Sequence, residues 1–319
     1  MTIRTALPVP RRRSSGAVAL VVAALLALVA GCAGESARTN AVSVSTGAAA
    51  PPTSTVAGGP VTLAPAWPEG GQAAVSVDDA REPLASGSAK RTPTASLAKV
   101  MTAYLFLKAK PLAAGAPGPS FTISAEEANR YPERLRRFES LTPVTAGESF
   151  TERRALEALM AVSASNVAHE IARWVDGDEA TFVARMNRTA KELGMRDTHY
   201  TDPSGFDRAT VSTAADQVRL FRVAMREPAF AAVAGVRSYT DSAQITKSNS
   251  NTLLGREGVL AGKTGFTTPA GGNLVFAAER RIDGRPQLVV AAVMAQRKGS
   301  TAAAAINASE TLIRSIGTP

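Results

Sequence analysis

Two short clusters in this 319-residue chain combine residue types that can carry out acyl transfer together. The first is Ser96-Leu97-Ala98-Lys99. Pro93 and Thr94 lead into a helix there, and the i, i+3 spacing puts hydroxyl and amine on one face. A neutral lysine in that position can take the serine proton, while the free N–H groups of the helix start favour a developing oxyanion. Taken alone, the pair also reads as an N-cap serine beside an exposed first-turn lysine.

The second cluster is Gly262-Lys263-Thr264-Gly265-Phe266. Glycines in a strand let another backbone come close, and an extended peptide can pair along such an edge. Lys263 adds positive charge near Lys99, and like charge and burial both depress an amine's pKa, which leaves Lys99 able to act as a base. Thr264 offers a hydroxyl to a substrate carboxylate. A glycine-bordered edge strand protected by its lysine is the plainer reading of this segment by itself.

Between them lies Ser163-Ala164-Ser165-Asn166, directly after the apolar segment Met160-Ala161-Val162. Ser163 can relay a proton. Ser165 has a shorter reach than an amide and lacks its paired donor and acceptor. Ser and Asn also favour a polar helix-to-helix turn.

The elements that must hold these groups can be traced along the chain. Gln72 to Val77 and Leu84 to Ser88 read as two strands around a polar turn. Gly258 to Thr267, Asn273 to Arg280 and Gln287 to Ala295 read as three more, the last two joined across Asp283-Gly284. Helical spacing occupies 96–107, 152–162, 167–175, 179–193, 214–225 and 301–316, with a capping box expected at Ser149-x-x-Glu152. The fold class is α+β: one five-stranded sheet built from both chain ends, covered by the first and last helices, with a helical second lobe. The site belongs at the seam between sheet and lobe.

In this order and separation, Ser96 with Lys99, an S-x-N-like turn and Lys263-Thr264-Gly265 resemble penicillin-binding proteins and class A β-lactamases. The sequence is most similar to the low-molecular-weight D-alanyl-D-alanine carboxypeptidases, serine peptidase family S11. The stretches that carry this are 94–103, Met186-Asn187 through Gly194-Met195, Asp202-Pro203-Ser204-Gly205-Phe206, and 262–267. The resemblance implies a β-lactamase/penicillin-binding-protein-like fold and needs no cofactor or metal. It implies that Ser96 attacks the penultimate D-alanine carbonyl with Lys99 as base. The backbone N–H groups of Ser96 and Phe266 then form the oxyanion hole, and Lys263 and Thr264 hold the terminal carboxylate. Its partners are peptidoglycan stem peptides ending in D-Ala-D-Ala, and β-lactams that acylate the same serine. The chain departs from the family pattern at Ser165, where asparagine is usual.

Composition fits an exported protein. Arg11 to Arg13 precede an uncharged apolar run, Ala17 to Ala30, and then Gly31 and Cys32: the order of a secretory signal over residues 1–31. Val29-Ala30-Gly31-Cys32 resembles the lipobox of bacterial lipoproteins, and Cys32 is the chain's single cysteine, so an internal disulfide is excluded. Lipidation there would anchor the protein to the outer face of the cell membrane; an ordinary cleaved signal would release it into the cell-wall space. Residues 32–60 are small and polar, as in a tether, and the catalytic domain is expected over 61–319. Without the four leader arginines, the net charge of +9 falls to about +5. Basic residues are scattered without interleaved aromatics, which argues against nucleic acid.

Other chemistries fit less well. His169 and His199 are too few for a zinc site and lie in no triad motif, and both read as structural. A class A β-lactamase needs an E-x-x-L-N segment, which the sequence lacks. Arg130, Arg134, Arg136 and Arg137, with Glu133 and Glu139, read as a solvated face or loop. Arg297 and Lys298 end the last strand near the expected cleft, where they could assist carboxylate binding, though a strand-end charge is the plainer reading. A D,D-endopeptidase of the same family, or a catalytically weak penicillin-binding or sensing protein, would use the same residues.

Overall fold

The computed structural model describes residues 63–78, 82–87, 89–297 and 301–319. The leader, Cys32, the tether and Lys298 lie outside the described residues. Residues 60–319 form one compact unit.

In chain order the elements begin with β1 (Gln72–Val77), β2 (Leu84–Gly87) and β3 (Thr92–Pro93), then α1 (Ala98–Ala109). The helical lobe adds β4 (Ser120–Thr122), α2 (Ala125–Arg136), β5 (Ser149–Thr151), α3 (Glu152–Ala161), α4 (Ser165–Asp176) and α5 (Glu179–Glu192). It is followed by β6 (Val211–Ser212), α6 (Ala214–Ala224), α7 (Pro228–Ala234), β7 (Ser238–Thr240) and β8 (Thr246–Ser248). The chain then returns to the main sheet through β9 (Val259–Thr267), β10 (Gly271–Ile282) and β11 (Arg285–Gln296), and closes on α8 (Ala303–Arg314).

The main sheet is antiparallel with strand order β2-β1-β11-β10-β9, so both chain ends contribute as expected. Val289, Ala291 and Val293 of β11 point to one face, where they pack with Ile306, Leu312 and Ile313 of α8. Burying each such leucine or isoleucine contributes about 1.5–3 kcal/mol. Val290, Ala292 and Met294, offset by one residue, join the other core with Val218 and Phe221 of α6. The second face is therefore covered chiefly by α6, not by the first helix.

Helix α1 has a different task. Every residue from Ala98 to Leu107 is buried. A helix apolar on all sides belongs in an interior, and α1 packs against α3, α4 and α6. Its N-terminus, with Ser96 just before it, is thereby fixed where lobe and sheet meet.

Two local expectations change. Ser149 is not a helix cap: it lies in β5, paired with Thr122, and Thr151 caps α3 by accepting from Arg154 N. Glu152 thus starts α3 instead of closing a capping box. The arginine-rich stretch from 130 is largely helix α2, with Ser124 as N-cap accepting from Glu127 N. Arg134 is buried there and ion-pairs with Glu127 (2.6 Å) and Glu139 (3.3 Å), so it is no solvated face.

Candidate active site

Ser96 sits in a single 3-10 turn, Ala95–Leu97, that hands over directly to α1. Ala95 holds φ +46°, a left-handed conformation that costs an alanine about 1 kcal/mol or more. Its surroundings enforce it. Gly205 (φ +76°) leaves so little room that a Cβ would stand 1.9 Å from Ala95 O. On the other side, a Cβ on Gly265 would lie 3.0 Å from Thr94 O and 3.1 Å from Ser96 N. The glycine of Lys263-Thr264-Gly265 therefore lets β9 approach the serine's own backbone.

Lys99 Nζ lies 3.0 Å from Ser96 Oγ, 3.2 Å from Ser165 Oγ and 2.8 Å from Ser204 O. Burial, chiefly, lowers the Lys99 pKa to about 8; nearby Asp202 and Glu139 oppose the shift and Arg134 assists it. The like charge expected from Lys263 does not govern Lys99. Instead Lys263, also fully buried, is held well below its ordinary value by burial and then by Lys99. When neutral, Lys99 can accept the Ser96 proton while its own N–H groups donate to Ser165 Oγ and Ser204 O.

The Ser204 carbonyl is aimed by a tight loop. Asp202 Oδ2 accepts from Ser204 N, Ser204 Oγ and Phe206 N, and its Oδ1 accepts from Thr210 Oγ1 at 2.7 Å. Thr102 Oγ1 of α1 donates to Pro203 O at 2.6 Å, tying that loop to the helix bearing Lys99.

Ser165 opens α4, and its backbone N–H donates to Ser140 O at 2.8 Å. Glu139, next to Ser140, is held by Arg134. A buried ionic cluster thus fixes the segment against which Ser165 rests. Ser163 occupies the sharp reversal between α3 and α4 at φ +61°, buried, and its Oγ has no hydrogen-bond partner among the described residues. Asn166 turns away from the lysine: its Oδ1 accepts from Thr142 N and its Nδ2 donates to Thr142 O at 2.8 Å. The amide next to Ser165 is structural.

Lys263 Nζ donates to Thr264 O at 2.9 Å, and Thr264 Oγ1 is 2.5 Å from Ser250 Oγ. Ser250, absent from the sequence motifs, joins the site through that contact. Asn273 is the other residue that sequence reasoning missed. It is the cross-strand neighbour of Gly265 and sits at a β-bulge, fully buried. Its Nδ2 donates to Thr94 O (2.9 Å) and Pro93 O (3.3 Å), and its Oδ1 accepts from Ala295 N (2.8 Å), so it clamps the segment entering Ser96 to the sheet. A buried asparagine inside a strand of small and apolar residues was the available signal.

A cleft of about 590 Å³ opens on Ser96, walled by Ser140 and Ser165 on one side and Phe266 to Pro269 on the other. His169 and His199 stand outside it: His169 Nδ1 pairs with Glu179 Oε2 at 2.7 Å, and His199 bridges Val211 through its backbone. Arg297 lies in a separate depression beside Trp67 and Asn307.

A family model described as D-alanyl-D-alanine carboxypeptidase, peptidase S11, matches residues 74–297. The D-alanyl-D-alanine carboxypeptidase DacB2 of Mycobacterium tuberculosis is 35% identical over 206 residues, 62% of this chain and 65% of its own length. A D-alanyl-D-alanine endopeptidase of Haemophilus influenzae is 26% identical over 194 residues, 59% of this chain and 63% of its own. The chain thus spans just under two thirds of the length of these curated relatives. Among solved structures, the D-alanyl-D-alanine carboxypeptidase of M. tuberculosis H37Rv shares 29% identity at a TM-score of 0.60, covering 75% of this chain and 86% of that one. The Streptomyces K15 DD-transpeptidase, at 24% identity and TM-score 0.65, covers 80% and 97% and bears on the fold alone.

Proposed function

Because the chain belongs to the peptidase S11 family, we propose that it removes the terminal D-alanine from peptidoglycan stem peptides through an acyl-enzyme on Ser96. The observation that carries this reading is Lys99 Nζ, 3.0 Å from Ser96 Oγ and lowered by burial to a pKa of about 8. Such an amine is partly neutral at physiological pH and in reach of the hydroxyl proton.

Lys99 takes the Ser96 proton as Oγ attacks the penultimate D-alanine carbonyl. The oxyanion meets the N–H groups of Ser96 and Phe266, whose close approach Gly265 permits. The C–N bond then breaks, the departing amine takes up a proton, and D-alanine leaves. Water hydrolyses the Ser96 ester and restores the hydroxyl. Thr264 holds the substrate carboxylate, with Lys263 supporting its strand from below. Ser163 relays the proton toward the leaving amine. Its role is supported by a buried hydroxyl that no other described residue engages, held at the reversal between α3 and α4. Penicillins acylate the same serine.

The sequence supports export through residues 1–31 and lipidation of Cys32, which would place the enzyme on the outer face of the cell membrane. Palmitate labelling of the full chain, lost in Cys32→Ala, tests the anchor.

For the enzyme itself, the test is labelling by a fluorescent penicillin beside Ser96→Ala, followed by mass analysis of a pentapeptide stem. Label on the wild type only, with loss of one alanine, is expected. An unlabelled wild type overturns the acyl-enzyme. Label without alanine release favours a sensing protein, and release only from cross-linked dimers favours the endopeptidase.

A further inference from the structure

Thr264, Gly265 and Phe266 follow one another along β9, and the cleft continues past Phe266 to Thr267, Thr268 and Pro269. A peptide whose terminal carboxylate meets Thr264 and whose scissile carbonyl meets Ser96 lays its preceding residue in that continuation. Two guanidinium groups line it, Arg137 and Arg208. The one carboxylate among the lining residues, Asp207, is already engaged: Oδ2 accepts from Thr201 Oγ1 and Oδ1 from Ala209 N, each at 2.9 Å. Among the described residues no hydrogen bond or ion pair engages the Arg208 guanidinium.

Arg137 is preorganised. Its guanidinium lies 4.7 Å over the Phe206 ring, its Nε is 3.6 Å from Glu139, a residue fixed by Arg134, and its Nη1 is 4.0 Å from the exposed Glu133. A planar guanidinium held by stacking and by two ion pairs, on Nε and Nη1, keeps Nη2 for a further carboxylate. Beside it Phe138, in the cleft lining, holds φ +59° and is 92% exposed as a residue, an apolar surface on which the methylenes of a side chain can rest.

Resting on the carboxypeptidase reading, we infer that Arg137 and Arg208 select peptides whose residue immediately before D-Ala-D-Ala carries a side-chain carboxylate. The guanidinium pair meets that anion and Phe138 covers the stem leading to it. Neutral and cationic side chains at this position lose the contact, and cationic ones are repelled.

The test uses three acetylated peptides, X-D-Ala-D-Ala with X as L-glutamate, L-glutamine or L-lysine. Each is scored twice, for protection of Ser96 against a fluorescent penicillin and for D-alanine release. A guanidinium–carboxylate contact at a cleft mouth is worth about a fivefold preference for glutamate over glutamine, with lysine weakest. Arg208→Gln combined with Arg137→Gln should bring the three peptides together, Arg208→Lys should keep part of the preference, and Arg285→Gln at the start of β11 should keep all of it. Penicillin labelling of each variant reports that it has folded.

Equal protection by the glutamate and glutamine peptides in the wild type overturns the inference, as does a preference that survives in the double variant. A flat peptide series with arginine-dependent capture of a phosphate-bearing wall polymer also overturns it. Alanine release without charge preference leaves the carboxypeptidase reading standing alone, whereas charge-dependent protection without release sinks that reading and keeps the inference. Protection by none of the peptides counts against both.

Discussion

Gly265 faces the backbone nitrogen of Ser96 so closely that a single added carbon would lie 3.1 Å from it. A Cβ contact of that length is tighter than proteins ordinarily accept, so β9 or the nucleophile's turn must shift by a few tenths of an ångström. The oxyanion hole depends on both. Gly265→Ala is therefore expected to slow penicillin acylation by about tenfold or more while barely changing the melting temperature. Stopped-flow acylation beside thermal unfolding checks this, and an unaltered acylation rate would separate Gly265 from oxyanion geometry.

The burial of Lys99 sets a pH profile. The base must be neutral, so the acylation rate should rise from pH 6, follow the pKa of about 8, and flatten above it. Two units below the pKa the rate should be about one hundredth of the plateau. Stability carries the same signature with its sign fixed by linkage. The folded pKa lies below the ordinary lysine value of 10.5, so the unfolded chain binds more protons between about 8 and 10.5, and stability should increase with pH across that window. Denaturant titrations of Lys99→Met should show a smaller increase, the remainder coming from Lys263, whose pKa burial also depresses.

Asn273 contributes no chemistry of its own but fastens the entry to Ser96 onto β10. Asn273→Ala removes three hydrogen bonds from a buried site and should cost about 1–3 kcal/mol of stability. Its effect on catalysis should fall on the acylation rate more than on peptide affinity, since the groups that hold substrate are untouched. Asn273→Asp should not rescue the function, because the carboxylate cannot donate to Thr94 O. An acylation rate restored to the wild-type value in the aspartate variant would refute the clamp.

Glu152 is fully buried at the start of α3, and neither of its carboxyl oxygens has a partner among the described residues. Burial raises its pKa to about 7, against the opposing charge of Lys110. The unfolded chain loses this proton from about 4.5 upward while the folded chain keeps it to about 7, so stability falls as pH rises through that interval. Glu152→Gln imitates the protonated form. Its melting temperature should exceed the wild type at pH 8, with the gap closing below about pH 4.5; a gap independent of pH would contradict the assignment.

Much of the fold could be read from the chain because its signals are local. Alternating apolar residues and the Asp283-Gly284 turn gave the strands, and Ser96-x-x-Lys99 with Lys263-Thr264-Gly265 named the two walls of the site. What escaped were relations across distance. Nothing local marks Asn273 as reaching Thr94, or Asp202 as aiming a carbonyl at Lys99. Arg134 sits in a highly charged stretch interrupted by Pro132, so it read as solvated until α2, α4 and the start of α5 closed around it. Ser149 mimicked a cap because Glu152 follows at the right spacing, but β4 claims it as a strand partner and Thr151 supplies the cap. The depression of Lys99 was expected to come partly from Lys263, yet burial does most of it, and burial is a property of the assembled core.

The ionic cluster beneath the cleft has an evolutionary consequence. Glu127 meets both Arg134 and Arg173, Arg173 also meets Glu170 and Glu179, and Ser124 donates to Glu170. Deleting one member strands a partner's charge away from water, at about 3–5 kcal/mol, whereas exchanging the set for well-packed apolar residues is close to neutral. Drift at these positions is therefore collective: a lineage keeps all of them or replaces them together, and a variant library should show the positions co-varying although none of them meets substrate.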